Sequence, residues 1–279
     1  MKKIILFGIL FLFVFASVND SSATVLVVDG NQNSFSDETA FSSGTVENGG
    51  QSGDDEAGDY VIVACATNGE GPNTFNTPTP GNWTLLDTGA CDNDTFCLHG
   101  IWGGFTDTAN VEEITCSWGV PHFVFVAGTF RYRDVDVNNP IIDVACDAGT
   151  SDEIVAPSIN TEHGAQVAVI GTYSFPEGFQ CNFLDEQFTF AGFFACAFAG
   201  MENVSMDGFT ETTFFEGPTG EATLDLFEVA DWRACTIGLR MAPILRNIPT
   251  LSEWGFLAFA GFLGLAGIWA LRRRQAVKA

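Results

Sequence analysis

Lysine is missing from the whole middle of this chain. None occurs between Thr24 and Asn247, where the only fixed cations are Arg131, Arg133, Arg233, Arg240 and Arg246. The same stretch holds all of the 35 acidic residues except Asp20 and Glu253. A surface of that sign repels the phosphates of nucleic acids and anionic lipids, so no nucleic-acid partner is expected. It favours solubility in a salty medium, divalent-cation binding or docking on a cationic partner.

Catalytic signatures are absent too. There is no Gly-x-Ser-x-Gly elbow, no His-Glu-x-x-His, no phosphate-binding glycine loop and no dinucleotide fingerprint. His99, His122 and His163 stand singly, as packed or surface histidines do. Carboxylates are so plentiful that no pair stands out as an acid/base couple. Cys-x-x-Cys spacing is also missing, which disfavours a structural metal site. The chain is therefore expected to be no enzyme and to need no cofactor.

Eight cysteines are present, Cys65, Cys91, Cys97, Cys116, Cys146, Cys181, Cys196 and Cys235, all in the acidic middle. An even number in a chain that begins like a secreted one points to disulfides formed in an oxidising compartment, with a connectivity that spacing leaves open. The secretory reading comes from residues 1–23. Lys2 and Lys3 precede an uncharged run from Ile4 to Ala16, and Ser21 and Ala23 are the small residues before a cleavage point. That run is too short to span a bilayer, which takes about 20 residues.

A second apolar stretch closes the chain. Trp254 to Leu271 would be a helix of roughly 27 Å, enough for a hydrocarbon core of about 30 Å. Arg272, Arg273 and Arg274 follow it and place the C-terminus in the cytoplasm, leaving the acidic segment outside. Just ahead lies Ile248-Pro249-Thr250-Leu251-Ser252-Glu253-Trp254-Gly255. Pro249 keeps the approach extended, Thr250 with Glu253 forms a capping box, and Trp254 suits the membrane interface. This motif, the short span and the terminal arginines together resemble the IPTL-CTERM sorting signal over residues 248–274. The resemblance implies an exosortase-like processing enzyme as partner, one that removes the tail and passes the protein to the cell surface. The motif residues are then a substrate signal and not catalytic machinery.

Residues 24–245 form the expected ectodomain, roughly 220 residues that suit one large all-β domain or two small ones. Segments rich in β-branched and aromatic residues recur at Thr24–Val28, Tyr60–Cys65, Trp83–Leu86, Cys97–Trp102, Phe123–Tyr132, Gln166–Tyr173, Ala222–Val229 and Trp232–Arg240. Gly, Asn, Asp, Ser and Pro clusters separate them, which is the pattern of a β-sandwich. Alternation puts Cys235, Ile237 and Leu239 on one face, the expected core. Residues 187–199 are apolar without a clear period, and no fixed-period repeat is visible.

A further likeness rests on Gly58-Asp59-Tyr60-Val61-Ile62-Val63, on Pro80-Gly81-Asn82-Trp83-Thr84, and on Phe130-Arg131-Tyr132-Arg133-Asp134-Val135-Asp136 with Asn139-Pro140-Ile141-Ile142-Asp143. These segments are similar to a jelly-roll-like domain of bacterial surface and phage-tail proteins, with Asn82 standing inside the turn motif. The likeness implies an adhesive or architectural role. Asp29, Asn31 and Asn33, continuing to Asp37, place oxygens at alternate positions as a calcium loop does, yet Ser34 and Ala40 stand where an EF-hand needs Gly and Glu. Asp134 and Asp136 offer a second weak metal candidate, and in both places a turn with solvated Asx side chains is the plainer reading. The expected function is a structural or adhesive surface protein. The alternative is a carbohydrate-binding or calcium-dependent adhesin that takes envelope polysaccharide on exposed aromatics such as Trp102 and Trp118.

Overall fold

A computed structural model describes residues 26–48, 56–68, 74–91, 94–175, 192–199, 202–213 and 216–243. The expected signal peptide, sorting motif and span lie outside these residues. Every regular element among the described residues is a strand. In order they are β1 (Leu26–Glu47), β2 (Tyr60–Asn68), β3 (Thr84–Cys91), β4 (Asp94–Phe105), β5 (Glu113–Arg133), β6 (Ile141–Ala156), β7 (Asn160–Thr161), β8 (Gln166–Ser174), β9 (Gly192–Ala199), β10 (Glu202–Thr212), β11 (Gly217–Pro218) and β12 (Ala222–Leu239). The fold is all-β, as the alternating segments imply.

Two five-stranded antiparallel sheets carry the structure, ordered β1-β5-β2-β4-β3 and β6-β12-β8-β10-β9. Period-two alternation gives each a face for a shared core. Tyr60, Ile62, Ala64 and Ala66 of β2, with Ile101, Val126 and Phe130, pack in one cluster with Ala168, Ile170, Val204, Met206, Cys235, Ile237 and Leu239 of the other sheet. Cys235, Ile237 and Leu239 are fully buried there, as their alternation requires.

The second sheet repeats the first. The strand order is the same, and β2 and β8 each have 9 residues while β3 and β9 each have 8. Hydrogen bonds at the strand ends repeat as well. Gly58 N donates to Thr106 O and Thr106 N to Asp59 O, while Gly164 N donates to Thr213 O and Thr213 N to Ala165 O. The two described sheets thus form a tandem structural repeat, although no fixed-period repeat is visible in the sequence. Some equivalent positions keep their character, as Trp102 and Phe209 do, while others hold chemically unlike side chains: Cys65 matches Gly171 and Arg131 matches Gly238, each located by its β2 or β8 partner.

Within the first sheet, β1 and β5 stay paired beyond the end of β2 and turn back over its outer face. Register shifts between Ser36, Phe41 and Ser43 mark the bend. The doubling back of β1 brings Asn33 Nδ2 to Thr45 O at 2.7 Å and Asn31 Nδ2 to Glu47 Oε2 at 3.0 Å. The flap covers a second apolar layer made of Val46, Val61, Val63, Trp102, Ile114, Trp118 and Phe125. Gly44 is required there, because a Cβ would collide with the Phe125 ring. The Cys65–Cys116 disulfide ties the flap to β2. In the second half, Ile154, Ala156, Leu224 and Leu226 cover Val167, Val169, Tyr173 and Trp232 in the same way, without a disulfide between flap and sheet among the described residues.

Cys91–Cys97 and Cys146–Cys235 are the other two described disulfides. Cys196 is also disulfide-bonded, and Cys181 lies outside the described residues. The Cys65–Cys116 bridge closes a loop of 51 residues in sequence. By chain entropy it constrains the unfolded state by about 4 kcal/mol. Replacing both cysteines by alanine is expected to lower the urea-unfolding free energy by about 2–4 kcal/mol, and to speed amide exchange in 41–48 and 113–118 before the rest of the sheet. Exchange that stays uniform would show that the apolar layer alone holds the flap.

Candidate functional site

Four of the five midchain arginines are described, and each pairs with a carboxylate of its own chain. Arg131 is fully buried. Its Nε donates to Asp59 Oδ2 at 2.9 Å, and Nη2 donates to Glu56 O at 2.8 Å, Thr106 Oγ1 at 3.3 Å and Thr108 O at 3.1 Å. Arg133 reaches the other Asp59 oxygen at 3.1 Å and Glu56 Oε1 at 3.2 Å. Burial works to raise the Asp59 pKa, but the hydrogen bonds from Arg133, the Glu56 amide and Arg131 outweigh it and hold the carboxyl below its ordinary value. Arg240 pairs with Glu162 at 3.0 Å. The cations are spent on fixing turns, so the described exterior keeps its acidic sign.

Arg233 does the corresponding work between the sheets. On β12 it faces inward, and it grips Asp87 of β3 through two hydrogen bonds of 2.7 and 2.8 Å. Gly89 leaves room for the guanidinium, since a Cβ there would stand 2.8 Å from Arg233 Cζ. Beside this pair, His99 of β4 accepts or donates one hydrogen bond at 2.6 Å between its Nδ1 and Thr172 Oγ1 of β8. Its Nε2 lies 3.8 Å from Asp87 Oδ2. An Asp, a His and a hydroxyl are the parts of a proton relay, but His99 has 0% exposure and its ring is closed off from solvent. Burial pushes its pKa down to about 4, against the opposing field of Asp87. The ring is neutral, and the cluster is a lock between sheets.

Elsewhere the packing reassigns several residues named from the sequence. Trp102 and Trp118 are 2% and 3% exposed and lie beneath the flap, Trp118 stacked on Phe125 at 5.4 Å. Neither is the exposed aromatic platform expected of a sugar site, because the folded-back ends of β1 and β5 cover them. His122 is buried against Thr67 Oγ1 at 3.0 Å, whereas His163 is exposed. Asp29, Asn31 and Asn33 stand in β1 opposite Arg131, Thr129 and Ala127, so they form no turn, and both asparagine amides are bonded within the chain. Asp134 is exposed at φ 61°, and Asp136 Oδ1 accepts from Asn138 N at 2.9 Å in an Asx turn. Among the described residues the one grouping of metal-ligating type is Asp87, Cys146 and Cys235, and its cysteines are bonded to each other. The Asp87–Arg233 and Asp59–Arg131 pairs were not singled out by sequence reasoning. The signal available was scarcity: the few cations of so acidic a chain sit where a carboxylate must be neutralised.

Two groups, the buried His99 and the half-buried Asp207, make stability depend on pH in opposite senses. The His99 pKa is depressed from 6.5 to about 4, so the unfolded chain binds its proton first and stability is lost as pH falls through that window. The loss is about 3 kcal/mol at most. Asp207 is the reverse: burial raises its pKa to about 7 despite the Tyr173 hydrogen bond, so stability rises as pH falls from 7 toward 3.8. In urea titrations between pH 7.5 and about 4, Asp207→Asn is expected to lose more stability than the parent and His99→Gln less. Parallel curves for all three proteins would refute both assignments.

No helix among the described residues is long and apolar enough to cross a membrane. The sorting motif Ile248–Gly255, the span 254–271 and Arg272, Arg273 and Arg274 all lie outside those residues. No curated protein and no solved structure matches the chain. Residues 248–274 match the family model described as the IPTL-CTERM motif, and the chain therefore carries a C-terminal sorting signal of exported surface proteins.

Proposed function

We propose that this is an exported, non-enzymatic surface protein. Its acidic β-sandwich serves a structural or adhesive role outside the cytoplasm, and an exosortase-like enzyme reads its tail. The match over residues 248–274 carries the reading. Consistent with it are the uncharged run after Lys2 and Lys3, the disulfide-bonded body and the inward use of its arginines. In this scheme the signal peptide directs export and the span 254–271 halts it. Arg272, Arg273 and Arg274 stay in the cytoplasm. Two sheets facing each other support the jelly-roll-like resemblance to surface domains. The carbohydrate-binding alternative loses the aromatic pair on which it rested, since Trp102 and Trp118 are covered.

The test is the intact mass of protein recovered from the native cell surface. Processing predicts a chain lacking 256–271, and Pro249→Ala or Trp254→Ala is expected to leave an unprocessed, membrane-held form. A surface chain still ending at Ala279 in the parent protein would reject processing and leave a single-pass anchor.

A further inference from the structure

The duplication sets up a comparison of the two halves, position by position, and one difference leaves a hole. In the first half, Val61 of β2 is flanked by Arg131 and Gly104, and the Arg131 guanidinium is received by Asp59, Glu56 O and Thr106 Oγ1. In the second half, Val167 of β8 is flanked by Gly238 and Glu211. The matching loop carries Ala165 where Asp59 stands and Thr213 where Thr106 stands, as the repeated backbone hydrogen bonds show. The arginine and its carboxylate are thus both gone. Ile159 occupies the space directly over Gly238, its Cδ1 2.9 Å from a Cβ built there. Farther out, where the first half places its guanidinium among Thr106 and the loop carbonyls, the second half has a cleft of about 200 Å³.

The lining of that cleft has a definite chemistry. Val167, Val169 and Phe209 make an apolar floor; Thr213 and Thr236 supply hydroxyls, and Glu211 and Glu221 stand exposed at the edge. No basic residue lines it. Thr236 is 2% exposed, and its Oγ1 has no hydrogen-bond partner. The equivalent hydroxyl in the first half, Thr129 Oγ1, donates to Glu47 O of the flap at 2.9 Å. A buried hydroxyl without a partner has given up its water without replacement, and a bound donor or acceptor would relieve that deficit. An aromatic face, hydroxyl oxygens and two carboxylates together favour a cation on an aliphatic stem over an anion or a purely apolar guest.

We propose that this cleft binds a guanidinium or primary ammonium group, the chemistry that Arg131 supplies internally in the first half. Phe209 and the valines receive the stem, Thr236 and Thr213 accept hydrogen bonds, and Glu211 and Glu221 provide the charge. The acidic exterior raises the local concentration of such cations. The ligand is either a free amine or an arginine or lysine side chain of another protein, and the cleft chemistry is the same for both. The proposal does not rest on how the tail is processed.

Full-length protein in a nonionic detergent is titrated with methylguanidinium, n-butylammonium and acetyl-Gly-Arg-Gly-amide, followed by amide chemical shifts. The neutral isostere N-methylurea and D-glucose are controls. Saturable shifts at Phe209, Thr213 and Thr236 are expected with the cations and not with the controls. The Glu211→Gln/Glu221→Gln pair and Thr236→Val are each expected to weaken binding about tenfold, with Thr236→Ser retaining it. Tighter binding of the peptide than of free methylguanidinium identifies a protein side chain as the natural occupant; the opposite order identifies a small amine. Absence of saturation, equal response to N-methylurea, response to glucose alone, or shifts scattered over the acidic exterior and unchanged in the variants would overturn the proposal. The isostere comparison on unaltered protein decides the matter even where a variant fails to fold.

Discussion

The Arg233–Asp87 pair ties the two halves of the sandwich together. Both groups lie between sheets, where charge is expensive unless it is matched by geometry and hydrogen bonds. The match here is bidentate, Gly89 gives the guanidinium its room, and the neighbouring His99–Thr172 hydrogen bond satisfies the next polar layer. Removing either partner would leave an uncompensated charge at the sheet interface, a larger penalty than any exposed ion pair on the surface imposes. The core around it, from Ile62 and Ile101 to Ile170 and Leu239, is apolar and non-directional, so it supplies most of the burial energy. The polar cluster fixes which residues face each other across that core.

Duplication explains the rest of the architecture. One five-stranded order is used twice, each time with its longest strand pair folded back over the outer face, so that each sheet is covered on both sides. The two copies differ in how the same positions are filled. A disulfide ties down the first flap, while the corresponding place in the second half has Gly171 under Ile154. A buried guanidinium fills the first turn pocket, while a cleft occupies the second. Copies that share a frame and differ in filling leave one half free for binding while the other serves stability.

Much of the fold was legible from local pattern. All eight β-rich segments fall in or beside strands, because alternation and β-branched or aromatic residues are the direct requirement of a half-buried pleated surface. What escaped was β6, β10, the short β7 and β11, the far end of β1 and the 113–122 portion of β5 that pairs with it. Ile141–Ala156 mixes Asp, Gly and Ser with its apolar residues, and Glu202–Thr212 carries only Val204, Met206 and Phe209 among polar residues and glycine, so pairing with neighbours reinforces a weak local preference to make them strands. Residues 192–199, ambiguous by period, become strand β9 through pairing with β10. The duplication itself was hidden because strand order depends on backbone hydrogen bonding, which tolerates the exchange of Arg for Gly or Cys for Gly.

By itself the sequence determined the acidic sign of its middle segment, the expectation of disulfides from an even number of cysteines, the all-β class and the sorting motif at 248–274. Each of these follows from composition or from contiguous residues, and needs no knowledge of what lies across a sheet. Tertiary structure alone decided that Trp102 and Trp118 are covered, that Asn31 and Asn33 belong to a strand, which cysteines pair, and that each described arginine meets a carboxylate distant in sequence. Arg233 and Asp87 are 146 residues apart, and only closure of one sheet on the other brings them within 2.7 Å. Such contacts depend on topology, and local patterns of hydrophobicity contain no record of it.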